Sequence, residues 1–187
     1  TLLGWAPKDN QELFTLEELI AKFDENGFQK SNPQLNLDKL KWFNGQYIRK
    51  LSDEDFLKLV KPFSNLFVEK NLEILKKIIP LVKTRIANPK EFDGLVNFFF
   101  DRPTPKELLQ STDLAYLKKA QEVLSDVEFE KSAIETKLVS VVKENGWTNM
   151  DFFTALRLAI AGQRISPPLT ESLIILGRQE VLERLKL

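Results

Sequence analysis

The chain has 187 residues, 27 Lys and Arg against 27 Asp and Glu, 43% hydrophobic residues, and neither His nor Cys. These totals suit one soluble globular domain or two small ones, and they exclude disulfides, thiol chemistry, Ser–His or Cys–His nucleophilic catalysis and zinc sites built from His or Cys. No apolar run nears the roughly 18 residues of a membrane span and no charged-then-apolar leader opens the chain, so a cytoplasmic protein is expected, and a start at Thr1 suggests a fragment or processed product.

Residues 1 to 14 read as a loop that Leu3 and Trp5 can anchor. The first helix is predicted from Thr15, whose hydroxyl can cap the backbone while Glu18 reaches back. Leu16, Leu19, Ile20 and Phe23 share one face of it, and Gly27 is expected to end it. After the turn KSNPQ, Leu37, Leu40, Phe43, Tyr47, Ile48 and Leu51 recur at helical spacing, with Lys39, Lys41, Arg49 and Lys50 over much of the remaining surface. Ser52 and Asp55 form a second capping pair, before a helix that Pro62 interrupts. From Val68 to Arg85 the pattern is helical again, with Leu72, Leu75, Ile79 and Val82 inside and Lys76, Lys77 and Lys83 outside. Pro80 must kink or split this helix.

The neutral total hides a segregation, because residues 30 to 90 hold 13 Lys and Arg against 6 Asp and Glu. A local surplus of this kind suits a phosphate-facing surface, and equally a set of solvated helix faces. Arg85 precedes the breaker Asn88-Pro89. A cation in a last helical turn is favoured by the helix dipole by about 0.3–1 kcal/mol, so position alone leaves Arg85 either a helix-end charge or a ligand contact.

Asn88 with Glu91, and Thr104 with Glu107, have the spacing of further caps, each followed by Pro. The run VNFFF between them is too short and isolated to make a sheet. Leu114, Leu117, Ala120, Leu124 and Val127 mark one more helix, and Ile134, Leu138, Val141 and Val142 another that Gly146 ends. Thr148 and Asp151 cap the helix that carries Arg157. With no sustained alternation and no hairpin dipeptide, the fold class is all-α, about ten short helices in two packed subdomains preceded by a further helical segment. The boundaries are set at residues 1–60, 61–130 and 131–187, the second at the change of composition around Glu128 to Lys131.

The stretch LRLAIAGQRISPPLTESLIILG, from Leu156 to Gly177, is the focal one. A helix carrying Arg157 should stop at Gly162, a loop holds Arg164 and Ser166, and Pro167-Pro168 opens the next helix. Backbone donors, a hydroxyl, guanidinium groups and apolar side chains converge there, which suggests binding more than chemistry. No nucleotide loop, metal-ligand spacing or hydrolase elbow occurs. Capping accounts for the carboxylates Glu17, Glu18, Asp53, Glu54 and Asp55, so no catalytic or metal-binding residue is assigned.

LLGW, LEELIAKFDENGFQKSNPQLNLDKLKWFNGQYIRKL, RIANPKEF and LRLAIAGQRISPPLTESLIILGRQEVLERL together resemble the C-terminal half of the bacterial glutamyl-tRNA synthetase family, over essentially the whole chain. The resemblance implies that residues 1–60 are part of a stem-contact fold, with Lys39, Lys41 and Arg49 as candidate contacts, and that the remainder is a helical cage for the anticodon loop of glutamate tRNA. It implies that Arg85 reads the third anticodon base and that Arg157, Ser166, Pro167 and Leu169 surround the first two; Arg164 in the same loop, and Lys77 and Lys83 of the basic segment, are further candidate RNA contacts, the lysines equally well solvated helix faces. Pro168 stands where relatives often have glycine, which stiffens the loop. The family's catalytic domain, with its ATP and magnesium sites, would lie upstream, so a non-catalytic, cofactor-free, monomeric tRNA-binding fragment is expected. The competing expectation is a helical protein-interaction scaffold without an RNA ligand.

Overall fold

The computed structural model describes residues 3–30, 32, 34–104, 109–110 and 113–186. Helix termini are written locally. Thr15 Oγ1 accepts from Glu18 N while Glu18 returns a carboxylate to Thr15 N, and this capping box opens α1 (Leu16–Lys22). Asn36 caps α2 (Leu37–Lys50), Ser52 caps α3 (Asp53–Val60) and Thr148 caps α8 (Asn149–Ala161). Each supplies a side-chain oxygen to a backbone N–H that the first turn leaves without a partner. A second capping box, Asn88 with Glu91, starts a 3-10 turn that runs into α5 (Phe92–Val96). The expected pair Thr104 and Glu107 cannot be followed, since Glu107 lies outside the described residues.

The remaining helices are α4 (Leu72–Val82), α6 (Asp113–Asp126), α7 (Lys131–Glu144), α9 (Leu169–Leu176) and α10 (Arg178–Arg184). Among the described residues there are thus ten α-helices, and the β-structure is one isolated antiparallel bridge, Trp5 with Phe28. The run Val96 to Phe100 forms the end of α5 and a 3-10 turn whose Phe98 and Phe99 point into the core. None of these helices is long and apolar enough to cross a membrane.

Two sequence expectations shift in detail. Helix α1 ends at Lys22, where Phe23 turns extended, and Gly27 instead closes a 3-10 turn that Asp24 caps. Gly27 is needed there for space, since a Cβ would lie 2.3 Å from Trp5 Nε1. Helix α4 is not split at Pro80, because that proline falls in the last turn and the helix stops two residues later.

One hydrophobic cluster runs from Ile48, near the end of α2, to Leu185 and takes in α3 through α10. Helix α6 packs on α7, α8 and α10, while α9 touches α7, α10 and α4. Helix α4, which precedes Arg85, and helix α9, which follows the Ser166 loop, are in contact. The leading segment stands apart, with a small aromatic group of Trp5, Phe14, Phe23 and Phe28. The apolar face of α1 is open, with Leu16 67% and Ile20 69% exposed.

Candidate nucleic-acid interface

Helix α8 stops because Gly162 adopts the left-handed conformation, φ 68°, and its N–H closes on Leu158 O at 2.9 Å. Glycine enters this region without the steric cost of a Cβ. Space is restricted as well, since a Cβ on Gly162 would lie 2.5 Å from Pro103 Cβ. Gly162→Ala should therefore destabilise the protein by about 2–4 kcal/mol, the sum of a left-handed alanine and an overpacked contact. Denaturant unfolding checks it, and an unchanged midpoint would mean that the Gly162–Pro103 contact does not hold the loop.

Beyond Gly162 the loop is tied to the body on both sides. Gln163 Nε2 donates to Leu95 O at 3.5 Å. Ser166 Oγ donates to Pro167 O at 3.0 Å and accepts from Arg157 Nε at 3.1 Å. The Ser166 bond fixes the half-buried guanidinium of Arg157 at one nitrogen and leaves its outer N–H groups unengaged by any described residue. Ser172 Oγ and N both bond to Pro168 O, which starts α9.

Arg85 sits in the turn after α4, its amide bonded to Val82 O and its side chain exposed. Its charge reaches Arg157. Burial first, and then Arg85, hold the Arg157 pKa below the ordinary arginine value. Burial raises the Glu171 carboxyl, but its hydrogen bond to Lys131, a bond to its own backbone amide and the charges of Lys131 and Arg85 bring it net below the usual value. The site therefore holds two arginines within electrostatic reach of each other, and a carboxylate, Glu171, that Lys131 already engages at 2.7 Å.

A buried arginine gives the contrast. Arg184 donates to Ile160 O at 2.7 Å and to Glu180 at 2.8 Å, and Arg102 grips the same carboxylate with two bonds. Burial lowers the Arg184 pKa while Glu180 opposes the shift. Arg184 is a neutralised structural tie; Arg157 is bonded to the Ser166 hydroxyl and pairs with no carboxylate among the described residues.

The other predicted contacts separate. Arg164 is exposed at the loop tip, and Lys77 is exposed on α4. Lys83 departs from the expectation, because its ammonium binds Leu51 O at 2.9 Å and Asp53 Oδ1 at 2.7 Å and so fastens α4 to the start of α3. Ser166, Pro167 and Leu169 also depart from it. All three are buried, so they form the layer beneath the surface and do not face outward. Lys39 is paired with Glu12, Lys41 is exposed, and Arg49 Nη1 reaches Thr84 O at 3.4 Å, beside Arg85. Ion pairs of Lys58 with Asp55 and Lys76 with Glu73 consume more of the basic surplus. Lys131 and Glu171 escape sequence reading because nothing local links them.

An arginine pair of this kind can donate fixed hydrogen bonds to base edges and stack on base faces, which suits an unstacked single-stranded loop. Among the described residues no group of three or more acidic, His or Cys side chains could hold a metal ion.

The family described as anticodon binding domain matches residues 55–187. The chain is 33% identical over 198 residues to a glutamate–tRNA ligase of Lachnoclostridium phytofermentans, covering all of this chain and 40% of that protein. It is 30% identical over 188 residues to glutamate–tRNA ligase 1 of Pseudothermotoga lettingae, covering 99% of this chain and 40% of that one. A crystal structure of a glutamate tRNA ligase from Elizabethkingia meningosepticum, in complex with its amino acid, superposes with a TM-score of 0.75 at 27% identity, over 98% of this chain and 38% of that one. The chain thus spans about two-fifths of the length of these relatives. Because the family match takes in every helix from α4 onward, with the turn of Arg85 and the loop after Gly162, the chain belongs to the anticodon-binding domain family.

Proposed function

We propose that the chain grips the anticodon loop of a glutamate tRNA, with Arg85 and Arg157 donating to the edges of unstacked bases. The supporting observation is the Arg157 guanidinium, half-buried beside a like charge and unengaged at its outer nitrogens. An arginine left in that state favours an incoming anion or an electron-rich base edge. The relatives are glutamate–tRNA ligases, and the tRNA identity follows from them. Ser166, Pro167 and Leu169 support the surface from below, and Lys77, Arg164, Lys41 and Arg49 supply phosphate contacts. In this reading the chain works in the cytoplasm as a single copy. It is not catalytic alone, and ATP and magnesium belong to another part of a longer ligase.

The test is Arg85→Gln. The parent chain should prefer glutamate tRNA over a tRNA changed at the third anticodon base, and the variant should lose about tenfold of that preference, within the 1–3 kcal/mol of a good bidentate base contact. Filter binding measures both. A parent that binds the two tRNAs alike contradicts base reading by this surface.

A further inference from the structure

Ile165 is 75% exposed, although isoleucine is among the residues most often fully buried. Its surroundings keep it outside. Ser166 is buried and bonded to Arg157 and Pro167, Gln163 is held to Leu95 O, and Gly162 is packed on Pro103. A loop anchored on both sides leaves Arg164 and Ile165 as a projecting tip.

Three properties suit this tip to a base. A β-branched side chain is stiff at χ1, so little freedom is lost on contact. Arg164 stands beside it with no ion pair or hydrogen bond to a described residue. The loop also holds the hydroxyl that positions Arg157, so the tip lies one residue from the group bonded to that guanidinium. Aliphatic wedges of this type part stacked bases in nucleic-acid complexes, and a base that leaves its stack needs an apolar surface on its exposed face. Met150, 76% exposed, does not share this setting. It lies in the first turn of α8, roughly 18 Å along the helix from Gly162 at 1.5 Å per residue.

We propose that Ile165 is an apolar wedge that covers the face of an unstacked base in the bound RNA loop, with Arg164 neutralising the adjoining phosphate. This rests on the anticodon-loop reading above. The nearby cations favour RNA over a protein partner.

The experiment titrates the 187-residue chain into a synthetic anticodon stem–loop of glutamate tRNA carrying the fluorescent base pyrrolocytosine in its anticodon. That base brightens when it leaves the stack. The parent chain and Met150→Ala should bind with the same affinity and the same brightening. Ile165→Ala should bind about tenfold more weakly, the effect of losing most of one side chain's apolar contact, and should lose the brightening. Ile165→Phe should keep both, because a ring covers a base face as well as isoleucine does. Unchanged melting temperatures are expected for exposed positions. If Ile165→Ala matches the parent in affinity and brightening, or Ile165→Phe fails as Ala does, the wedge is wrong while the RNA reading stands. If the parent does not bind the stem–loop at low salt, the RNA reading fails and the wedge with it.

Discussion

Arg157→Gln should weaken binding to glutamate tRNA by about tenfold to a hundredfold, the 1.5–3 kcal/mol of hydrogen bonds made by a charged donor, without lowering the stability of the free protein. The sign follows from the site. A base whose pKa is pushed below its ordinary value carries its proton less favourably than it would in water, and burial and Arg85 do this to Arg157. Removing the charge relieves that repulsion in the free protein and removes a donor in the complex. Ser166 keeps its bond to Pro167 O, so the loop retains one of its ties. Filter binding and thermal denaturation of the same variant decide the matter. A lower melting temperature with unchanged affinity would make Arg157 a structural residue like Arg184.

Phe92→Ala should destabilise the protein by about 3–5 kcal/mol, the usual cost of truncating a buried phenylalanine. Phe92 is fully buried, with the ring of Phe56 at 6.1 Å edge-on and that of Phe67 stacked at 5.9 Å. It opens α5 just after the Asn88 capping box, so its loss uncouples α3 from the segment that follows Arg85. Domains are stable by only about 5–15 kcal/mol, so the melting temperature should fall by about 10 °C. One continuous core predicts that the transition stays cooperative. A separate early transition, or a loss below 1 kcal/mol, would contradict that shared core.

What could be read before the structure was local. The capping pairs Thr15 with Glu18, Ser52 with Asp55, Asn88 with Glu91 and Thr148 with Asp151 place four helix starts, because each satisfies backbone donors within one turn. Gly162 as the end of the helix carrying Arg157 is of the same kind. Periodicity marks an apolar face but not what covers it, and so Leu16 and Ile20 share a face of α1 that stays exposed. Tertiary pairings were equally invisible. Nothing near Lys83 announces that it will bind Asp53 and Leu51 O, and nothing near Ser166 announces that its hydroxyl turns inward to Arg157. The resemblance grouped Arg85 with Arg157, and the packing of α4 on α9 sets the helix before Arg85 against the helix that follows the Ser166 loop. It could not show that the residues around Arg157 form a buried support and leave Arg164 and Ile165 outside.

The most direct measurement is a binding titration of the 187-residue chain against glutamate tRNA and an anticodon-swapped tRNA at several salt concentrations. The predicted result is an affinity that falls steeply with salt for both, because phosphate contacts release counterions, with a constant preference for the glutamate tRNA carried by base contacts. Equal affinity for the two tRNAs at every salt concentration would contradict anticodon reading.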